Sequence, residues 1–555
     1  MTDKTSIESS GDEEAFPKLT ADQISRIAIH GHARHVEPGE VLIEAGVEAA
    51  RLFVVTAGQI ETSAMSGSVR KIVGVIQPGM FTGEVTLLSG RRGLAQTTAT
   101  EPSEVVEVDR AELLSLVQTD SELGDILMRA FILRRVKLIA GQLGDVVLVG
   151  SIHCAGTLRV KEFLTRNGHP YSYIDLDRDD GVQELLDHFH VSAADVPILI
   201  CRGKVVLRDP TNEEIAACLG FNDAIDETHV RDAVIVGAGP SGLAAAVYAA
   251  SEGLDVLVLE SNAPGGQAGS SSRIENYLGF PLGISGQELA ARAYTQAQKF
   301  GAELMIAKGA KQLACERKPY AISLEDGVSV PARTIIIATG AEYRKLSLDN
   351  LSQFEGAGVY YGATAMEAQL CGGEDVIVVG GGNAAGQAAV FLAQTAKHVY
   401  MLVRSEGLAD SMSRYLIRRI EDNPRIDLRV QSEITALDGS NHLERVSWKD
   451  NITGEVVTRD IRHLFVMAGA IPNTHWLNGC IALDGNGFIK TGPDLSTEDL
   501  DAAHWPLPRP PYLLETSLPG VFAVGDVRGG SLKRVASAVG DGSIAVALVH
   551  RLLQE

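Results

Sequence analysis

Hydrophobic and polar positions divide the chain into three segments of different pattern. In residues 16–140, short alternating runs such as EVLIEAG, RLFVVTAG and KIVGVIQPG are separated by single glycines, and a helical pattern follows at residues 120–139. Alternation over a few residues is typical of half-buried strands. We therefore predict that this N-terminal segment is a small β-roll closed by helices, preceded by a disordered polar tail at residues 1–15.

The middle segment, residues 145–220, alternates strand and helix patterns. VVLVGS and YSYIDLD predict buried strands, and a helical pattern follows each of them, at residues 157–166 and 182–190. PILICRGKVVLRD predicts a hairpin, and residues 211–219 predict a last helix. The order β-α-β-α-β-β-α is that of the thioredoxin fold, so we expect a thioredoxin-like α/β domain here.

From residue 230 to the end, strands and helices alternate as in doubly wound, Rossmann-type α/β domains. The strongest signal is DAVIVGAGPSGLAAAVYAA, in which Gly237-x-Gly239-x-x-Gly242 follows an apolar strand and opens an alanine-rich helix. In such a turn the first glycine makes the bend, the second admits a pyrophosphate, and the third lets helix and strand pack. Glu260 ends the next strand, where a carboxylate accepts hydrogen bonds from ribose hydroxyls. We predict a dinucleotide site here.

A second turn of the same kind lies in DVIVVGGGNAAGQAAVFLA. The strand after it ends in Arg404 where the first copy has Glu260, and a cation there suits a 2′-phosphate. The opposite charges predict two different dinucleotides, FAD at the first turn and a nicotinamide at the second. NADPH is favoured over NADH, although NADH stays open. The residues predicted to contact the nicotinamide dinucleotide are Gly380, Gly382, Asn383, Ala384, Ala385 and Arg404.

The C-terminal region resembles low-molecular-weight thioredoxin reductase in its motifs Pro264-Gly265-Gly266-Gln267, Glu275-Asn276, Ala338-Thr339-Gly340, Gly525-Asp526 and Lys533-Arg534-Val535-Ala536. The resemblance implies an FAD-binding domain in two parts, 230–345 and 476–555, with an NAD(P)H-binding domain inserted at 346–475. It also implies a homodimer, and an Asp526 carboxylate that holds the ribitol of FAD. The implied FAD contacts are Gly237, Gly239, Pro240, Ser241, Gly242, Glu260, Gly265, Gly266, Gln267, Asn276, Thr339, Gly340, Gly525, Asp526, Arg534, Val535 and Ala536.

The chain departs from this family at the redox centre. Where the family has its dithiol, C-A-T-C, this sequence has Gly362-Ala363-Thr364-Ala365. We expect the flavin ring to face Gly362 and Ala365, where no thiol can receive its electrons. Cys371 is expected to be a structural thiol. The family's NADP clamp, H-R-R-x-x-x-R, retains only Arg404.

One cysteine of the middle segment has a context of its own. Cys154, in SIHCAGT, resembles the C-x-x-S/T site of glutaredoxin-like proteins, and a helix N-terminus stabilises a thiolate. Val196-Pro197 falls where that family has its cis-proline. Two interpretations stay open: Cys154 is a redox nucleophile, or the domain serves only dimer contacts and Cys154 is an ordinary thiol.

The N-terminal segment resembles a cyclic nucleotide-binding domain in Pro38-Gly39-Glu40, in its single glycines and in FTGEVTLL at residues 81–88. The resemblance implies that Gly83 and Glu84 open the phosphate cassette, with Glu84 accepting from the ribose. The arginine that neutralises the cyclic phosphate is expected nine or ten residues after Glu84, at positions held by Gly93 and Leu94. Arg91 and Arg92 are therefore the candidates. No helix-turn-helix follows, so a transcription factor of the related type is not expected.

Composition limits the partners. The 555 residues carry a net charge of −22, which argues against nucleic acid and against anionic membranes. Residues 233–251 are uncharged, but their glycine spacing predicts a strand, a turn and a helix rather than a membrane span. The cysteines show no C-x-x-C pair and no zinc spacing, so we expect no metal and a reducing, cytoplasmic location. They are Cys154, Cys201, Cys218, Cys315, Cys371 and Cys480.

Three hypotheses about function follow. In the first, the protein is an FAD-dependent NAD(P)H oxidoreductase whose electron acceptor is unidentified, with Cys154, an external disulfide, a quinone and dioxygen all open. In the second, it is a sensor in which flavin redox state and a cyclic nucleotide change its conformation and catalysis is incidental. In the third, FAD serves only folding.

Overall fold

The computed structural model describes residues 14–555, except for residues 49, 67–68, 90, 142, 145, 152–153, 178–194, 203–204, 272, 364, 410, 441 and 478. Most of the predicted tail, and the predicted helix at 182–190, lie outside the described residues. Ala15, the last residue of that tail, is fully buried, and Arg134 Nε donates a hydrogen bond to its carbonyl oxygen at 2.8 Å. At Ala15 the prediction of a disordered tail is therefore wrong, because this residue packs on the roll.

The N-terminal segment is a roll of two antiparallel sheets closed by helices, as predicted. Its elements are α1 (Ala21–Ala28), β1 (His32–Val36), β2 (Val41–Ile43), β3 (Arg51–Ala57), β4 (Ile60–Ser66), β5 (Val69–Ile76), α2 (Thr86–Ser89), β6 (Ala95–Ala99), β7 (Ser103–Asp109), α3 (Arg110–Thr119) and α4 (Ser121–Ala140). The sheets have the orders β1-β7-β3 and β2-β6-β4-β5. Successive side chains of β3 point to opposite faces of the strand, and both faces are buried. Phe53 and Val55 pack between the sheets, and Leu52 and Val54 pack against α4.

The middle segment contains a four-stranded sheet. Its described elements are β8 (Val146–Gly150), α5 (Ala155–Arg166), β9 (Ser172–Asp175), β10 (Ile198–Cys201), β11 (Val205–Arg208) and α6 (Asn212–Leu219). The strand order is β11-β10-β8-β9, with β8 parallel to β9 and β10 antiparallel to β8 and β11. The elements follow the predicted order wherever they are described, and the Val196–Pro197 peptide is cis, as expected.

The C-terminal region begins with a sheet of seven strands. The elements of its first part are β12 (Arg231–Val236), α7 (Pro240–Ser251), β13 (Val256–Glu260), α8 (Gly266–Gly269), α9 (Gly286–Lys299), β14 (Glu303–Ile306), β15 (Ala310–Ala314), β16 (Tyr320–Leu324) and β17 (Ser329–Ile337). Strands β14-β13-β12-β17 are parallel, and β16 and β15 continue the sheet as an antiparallel meander. The uncharged stretch at 233–251 is thus a strand, a turn and a helix, as predicted.

A second, parallel sheet follows. Its region contains β18 (Ala341–Tyr343), α10 (Leu351–Phe354), β19 (Val359–Tyr360), α11 (Ala365–Leu370), β20 (Asp375–Val379), α12 (Asn383–Leu392), β21 (His398–Leu402), α13 (Arg414–Glu421), β22 (Ile426–Arg429), β23 (Ser432–Asp438), β24 (Arg445–Asp450), β25 (Val456–Arg459), β26 (His463–Val466) and β27 (Ala470–Pro472). The order β19-β26-β20-β21-β22 forms the parallel sheet, and β23-β24-β25 form an antiparallel one. Strands β18 and β27 pair where the chain enters and leaves this region.

The chain then returns to the first sheet. The last elements are α14 (Thr497–Ala502), β28 (Val521–Ala523) and α15 (Val535–Gln554), with short 3₁₀ helices at His475–Leu477, Gly492–Asp494 and Gly525–Val527. Strand β28 pairs in parallel with β17. This pairing is the arrangement expected when one α/β domain is inserted in another.

Helix α15 is, in the described part of the chain, the one helix long and apolar enough by length and composition to cross a membrane. The sequence analysis did not single it out. It packs against α7 and buries Ala545, Val546 and Val549 in the core beside the first sheet. This packing accounts for the apolar side chains on one face of the helix.

Two cysteines form a disulfide that the sequence did not predict. Cys315 follows β15 and Cys480 follows the 3₁₀ helix His475–Leu477; they are 165 residues apart in the chain, with their Cα atoms 5.9 Å apart. The spacing of cysteines along the chain does not show which elements approach each other in space. The argument for a reducing compartment assumed unpaired cysteines, and the disulfide removes that premise. A cytoplasmic location stays a prediction. The other cysteines that the structure describes are not in disulfide bonds; they are Cys154, Cys201, Cys218 and Cys371.

We expect the denatured, unreduced chain to titrate four thiols with a chromogenic disulfide reagent, and six after reduction, because one pair among six cysteines is bridged. The double variant Cys315→Ser, Cys480→Ser should lose about 2–4 kcal/mol of unfolding free energy, since the unfolded chain gains freedom. Cys218→Ser is the control, with three thiols before reduction. Six thiols in the unreduced parent chain would contradict the bridge.

Candidate cofactor and redox site

The first glycine turn has the packing that its sequence predicts. A Cβ on Gly237 would collide with the carbonyl oxygen of Ala338, and a Cβ on Gly242 would collide with the carbonyl oxygen of Gly237. A Cβ on Gly239 would meet only the Cα of Gly266, at 3.9 Å. Packing therefore requires the first and third glycines, whereas the second borders open space that a phosphate group can enter.

Glu260 lies at the end of β13, beside this turn. Its Oε2 accepts a hydrogen bond from Ala238 N at 2.7 Å, and its Oε1 accepts one from Asn262 N at 2.8 Å. The carboxylate is buried, and burial raises its pKa. Each carboxylate oxygen has a second lone pair, so Glu260 can fix the loop and still accept from a ribose hydroxyl.

Other predicted FAD contacts come together at the same edge of the first sheet. Gln267 Nε2 donates to Ala341 O, and Thr339 Oγ1 donates to Asn473 O at 2.9 Å. Gly525 lies so close to Ser241 that a Cβ on Gly525 would touch the serine hydroxyl. The two parts of the FAD-type domain therefore meet at this edge.

Five of the predicted FAD contacts come from the returning part of the chain, and several predicted contacts lie on the rim of the site. Asp526 is partly buried, which raises its pKa. The exposed residues are Asn276, Arg534, which precedes α15, and Ala536. Glu275, next to Asn276, accepts a hydrogen bond from Arg419 on α13 at 2.8 Å, so the rim also contacts the inserted region.

The residues at the first turn fit an adenine dinucleotide such as FAD. They provide an open cradle at Gly239 and the buried carboxylate of Glu260, and both parts of the chain meet there.

The second turn repeats the pattern on β20 and α12. A Cβ on Gly380 would collide with Met467 O, and a Cβ on Gly382 would meet no atom within 4 Å. Ala385, at the third position, is fully buried. The second turn thus presents a cradle of the same kind.

Three serines lie beside the second turn, and the sequence analysis did not include them among the predicted contacts. Ser411 Oγ donates to Gly381 O at 2.8 Å, and Ser413 N donates to Asn383 Oδ1 at 2.8 Å. Ser405 lies on the same side of Gly381. The polar run SMSR before α13 was the available signal. Arg404 itself is exposed just beyond β21, as its predicted contact with a 2′-phosphate requires.

The position of the missing dithiol lies next to the first site. A Cβ on Gly362 would be 3.9 Å from Ser270 Oγ, just after α8. Ala365 begins α11, and Thr364 lies outside the described residues. Cys371 is fully buried, its thiol donates to Ala368 O at 3.7 Å, and burial raises its pKa to about 11. A protonated, inaccessible thiol of this kind fits the predicted structural role.

Cys154 precedes the first turn of α5 as its N-cap and is half-buried. The adjacent Ala155 packs on Gly356 of the inserted region: a Cβ on Gly356 would lie 3.0 Å from that of Ala155. Gly356 comes shortly before Gly362 in the chain. The start of α5 therefore contacts the inserted region. Residues 152–153 of the predicted motif lie outside the described residues.

The cassette of the N-terminal segment borders a cavity of about 60 Å³, lined in part by Gly83, Glu84 and Arg134. The predicted role of Arg91 and Arg92 at a cyclic phosphate needs correction, because neither lines this cavity. The guanidinium of Arg91 lies 4.7 Å from the ring centre of Phe221, and Arg92 Nη1 donates to Cys218 O at 3.3 Å. Aromatic rings and carbonyls of the other segments attract both arginines, and the arginines that line the cavity are Arg51 and Arg134.

Comparisons with known proteins agree with this geometry. Residues 231–542 match the family model of pyridine nucleotide-disulphide oxidoreductases, and residues 33–120 match that of cyclic nucleotide-binding domains. The thioredoxin reductase of Ureaplasma parvum serovar 3 is 34% identical over 319 residues, covering 57% of this chain and 94% of that protein. The thioredoxin reductase of Bacillus subtilis is 31% identical over 333 residues, covering 60% of this chain and 97% of that protein.

Solved structures give the same result. The crystal structure of Lactococcus lactis thioredoxin reductase in its FR conformation matches with a TM-score of 0.52 at 28% identity, covering 58% of this chain and 99% of that one. The crystal structure of T. acidophilum thioredoxin reductase matches with a TM-score of 0.52 at 28% identity, covering 59% of this chain and 99% of that one. The C-terminal region is thus a two-domain oxidoreductase of the Rossmann type. The chain belongs to the pyridine nucleotide-disulphide oxidoreductase family and is an FAD-dependent NAD(P)H oxidoreductase.

Gly239→Val should abolish flavin retention, because the added side chain enters the open space beside the first turn. Gly239 has φ −69° and ψ −177°, an extended backbone that valine adopts, so the apoprotein should fold. Gly382→Val is the matched control, since Gly382 has φ −88° and ψ 174° and is equally open. The control should keep its flavin and lose NADPH binding. Full flavin content in the purified Gly239→Val protein would refute the site.

Arg404→Ala should raise the Kd of NADPH about tenfold to a hundredfold, the scale of a lost hydrogen bond to a charged group. The Kd of NADH, which lacks the 2′-phosphate, should change little and is the internal control. Titration of both nucleotides against the parent and the variant measures this difference. An equal loss for the two nucleotides would show that Arg404 does not contact the phosphate.

Proposed function

We propose that this protein transfers hydride from NADPH to FAD and then passes electrons to an acceptor without the dithiol of its relatives. The observation that carries the proposal is the pair of open glycine cradles on two sheets, at Gly239 and Gly382, next to a position that holds Gly362 instead of cysteine. NADH remains an alternative donor. Bound FAD would supply two-electron chemistry between the nucleotide and the acceptor.

The roles of the chain's own residues follow from their positions. Gly239 and Gly266 would admit the pyrophosphate of FAD, Glu260 would accept from its ribose, and Asp526 would hold the ribitol. Gly382 would admit the pyrophosphate of NADPH, with Arg404 at the 2′-phosphate. These residues bind and orient; none of them carries electrons.

Cys154 is our candidate for a thiol that takes part in electron transfer to a disulfide. It is free and half-buried, and the helix start that it caps packs against Gly356 of the inserted region. To exchange with a partner disulfide, the thiol must reach solvent or the flavin side through a movement of domains. An external disulfide, a quinone and dioxygen are the other acceptors.

A regulatory role of the N-terminal segment is our second proposal. Arg91, in the cassette loop, lies with its guanidinium 5.2 Å from the ring centre of Tyr294 on α9, so the cassette contacts the FAD-type domain directly. The cavity of about 60 Å³ has room for only a few water molecules, so a cyclic nucleotide requires movement of its lining. A homodimer in the cytoplasm, without nucleic-acid or membrane partners, stays a prediction from the sequence.

The test begins with the purified, flavin-loaded protein. NADPH added without oxygen should bleach the flavin absorbance quickly, and a screen of disulfides, quinones and dioxygen should then find an acceptor with steady NADPH consumption. Thioredoxin-like disulfides should not be reduced by a dithiol route, because positions 362 and 365 supply no sulfur. A flavin that stays oxidised with NADPH and with NADH would contradict the proposal.

Where a disulfide is reduced by the parent, Cys154→Ser should abolish that activity without changing the bleaching rate. The matched control is Cys218→Ser, another half-buried cysteine of the middle segment that is not in a disulfide bond, which should keep the activity. Disulfide reduction that survives Cys154→Ser would exclude the thiol route.

A further inference from the structure

The middle segment contacts the loop that leads from β13 to α8, between Glu260 and Gly266. Asn212 Nδ2 donates to Asn262 Oδ1 at 3.0 Å, and Gln287 Nε2, on α9, donates to the carbonyl of Thr165 at 2.9 Å. The first contact holds the start of α6 against a loop that borders the predicted FAD site, and the second holds the end of α5 against α9.

Arg166, the last residue of α5, makes the closest approach. Its Nη2 donates to Gly266 O at 2.9 Å and to Ala263 O at 3.4 Å, and its Nη1 donates to Glu162 Oε1 at 3.3 Å. The side chain is 14% exposed, and its buried Nε has no hydrogen-bond partner among the described residues. The guanidinium therefore bridges both ends of the turn Ala263-Pro264-Gly265-Gly266.

This turn forms one wall of the opening at Gly239. Gly265 and Gly266 have φ of +103° and +53°, a left-handed conformation that glycine adopts because it has no Cβ. Gly265 N donates to Ala238 O at 2.7 Å on one side, and Arg166 binds the carbonyls of the turn on the other. Arg166 thus fixes the distance between Gly266 and Gly239, where a pyrophosphate is expected.

The charges around this turn also fit a bound pyrophosphate. Burial raises the pKa of Glu260, while the positive charge of Arg166 acts to lower it, so the two side chains are close enough to interact. A pyrophosphate adds negative charge to a loop that otherwise contains the buried carboxylate of Glu260. A guanidinium behind the turn stabilises that charge.

We propose that Arg166 is a positioning residue for FAD, supplied by the middle segment to the site of the following domain. The inference rests on the proposed FAD function. It gives the middle segment a role that does not depend on Cys154: its helix α5 holds the turn that admits the pyrophosphate. By linkage, bound FAD must stabilise the contact of α5 with this turn to the same extent.

The test uses the full chain, stripped of flavin and titrated with FAD by quenching of flavin fluorescence. Arg166→Met and Arg166→Gln should each raise the Kd of FAD about tenfold or more, because a charge and two hydrogen bonds are lost. Arg166→Lys, which keeps the charge, should restore part of the affinity. The matched control is Arg159→Met on the same helix, whose hydrogen bonds to Pro210 O, Asp209 and Asn212 stay within the middle segment.

Hydrogen exchange supplies a readout besides affinity. In the parent and in Arg159→Met, FAD should slow amide exchange in residues 155–166; in the neutral Arg166 variants this protection should be lost. An FAD Kd within about twofold of the parent in both neutral variants, with only their thermal stability lowered, would overturn the inference. A parent chain that does not bind FAD would instead contradict the proposed function.

Discussion

The pairing of β28 with β17 is the constraint on which the C-terminal region depends. The chain leaves the first sheet after Ile337 and returns to it at Val521, with a whole domain in between. Only three residues of β28 pair, so other contacts must hold the returning part. Buried Glu515 accepts from Gly520 N at 3.0 Å and pairs with Arg509.

Helix α15 and the Cys315–Cys480 bridge complete this closure. A Cβ on Gly542, in α15, would collide with Ser241 O at the start of α7, so these two helices are in close contact beside the first glycine turn. The predicted ribitol residue, Asp526, lies between β28 and α15. Its place in the site is therefore a consequence of how the last eighty or so residues return to the sheet.

Features set by local sequence could be predicted, and features set by contacts between segments could not. The strand, turn and helix around Gly239 are encoded in one short stretch, and the third residue shows why the two turns differ: Gly242 has no room for a Cβ, whereas Ala385 fits. The direction of Arg91 depends on Phe221, in another segment. The approach of Cys315 to Cys480 depends on an entire inserted domain. Neither leaves a pattern in the sequence.

The same reasoning explains how three unlike segments form one protein. Arg135, on α4, lies with its Nη1 3.6 Å from Glu84 Oε2 at the cavity, and its Nη2 donates to Gly168 O in the middle segment at 2.6 Å. Arg166, two residues before Gly168, binds the turn at Gly266. Direct contacts thus run from the cassette through the end of α5 to the predicted flavin site. Domains that are joined only by linkers lack such buried polar contacts. Separating the segments of this protein would break the contacts of Arg135 and Arg166 and leave charged groups unpaired in the interior. The N-terminal and middle segments are therefore built into the structure of the oxidoreductase, whichever acceptor it uses.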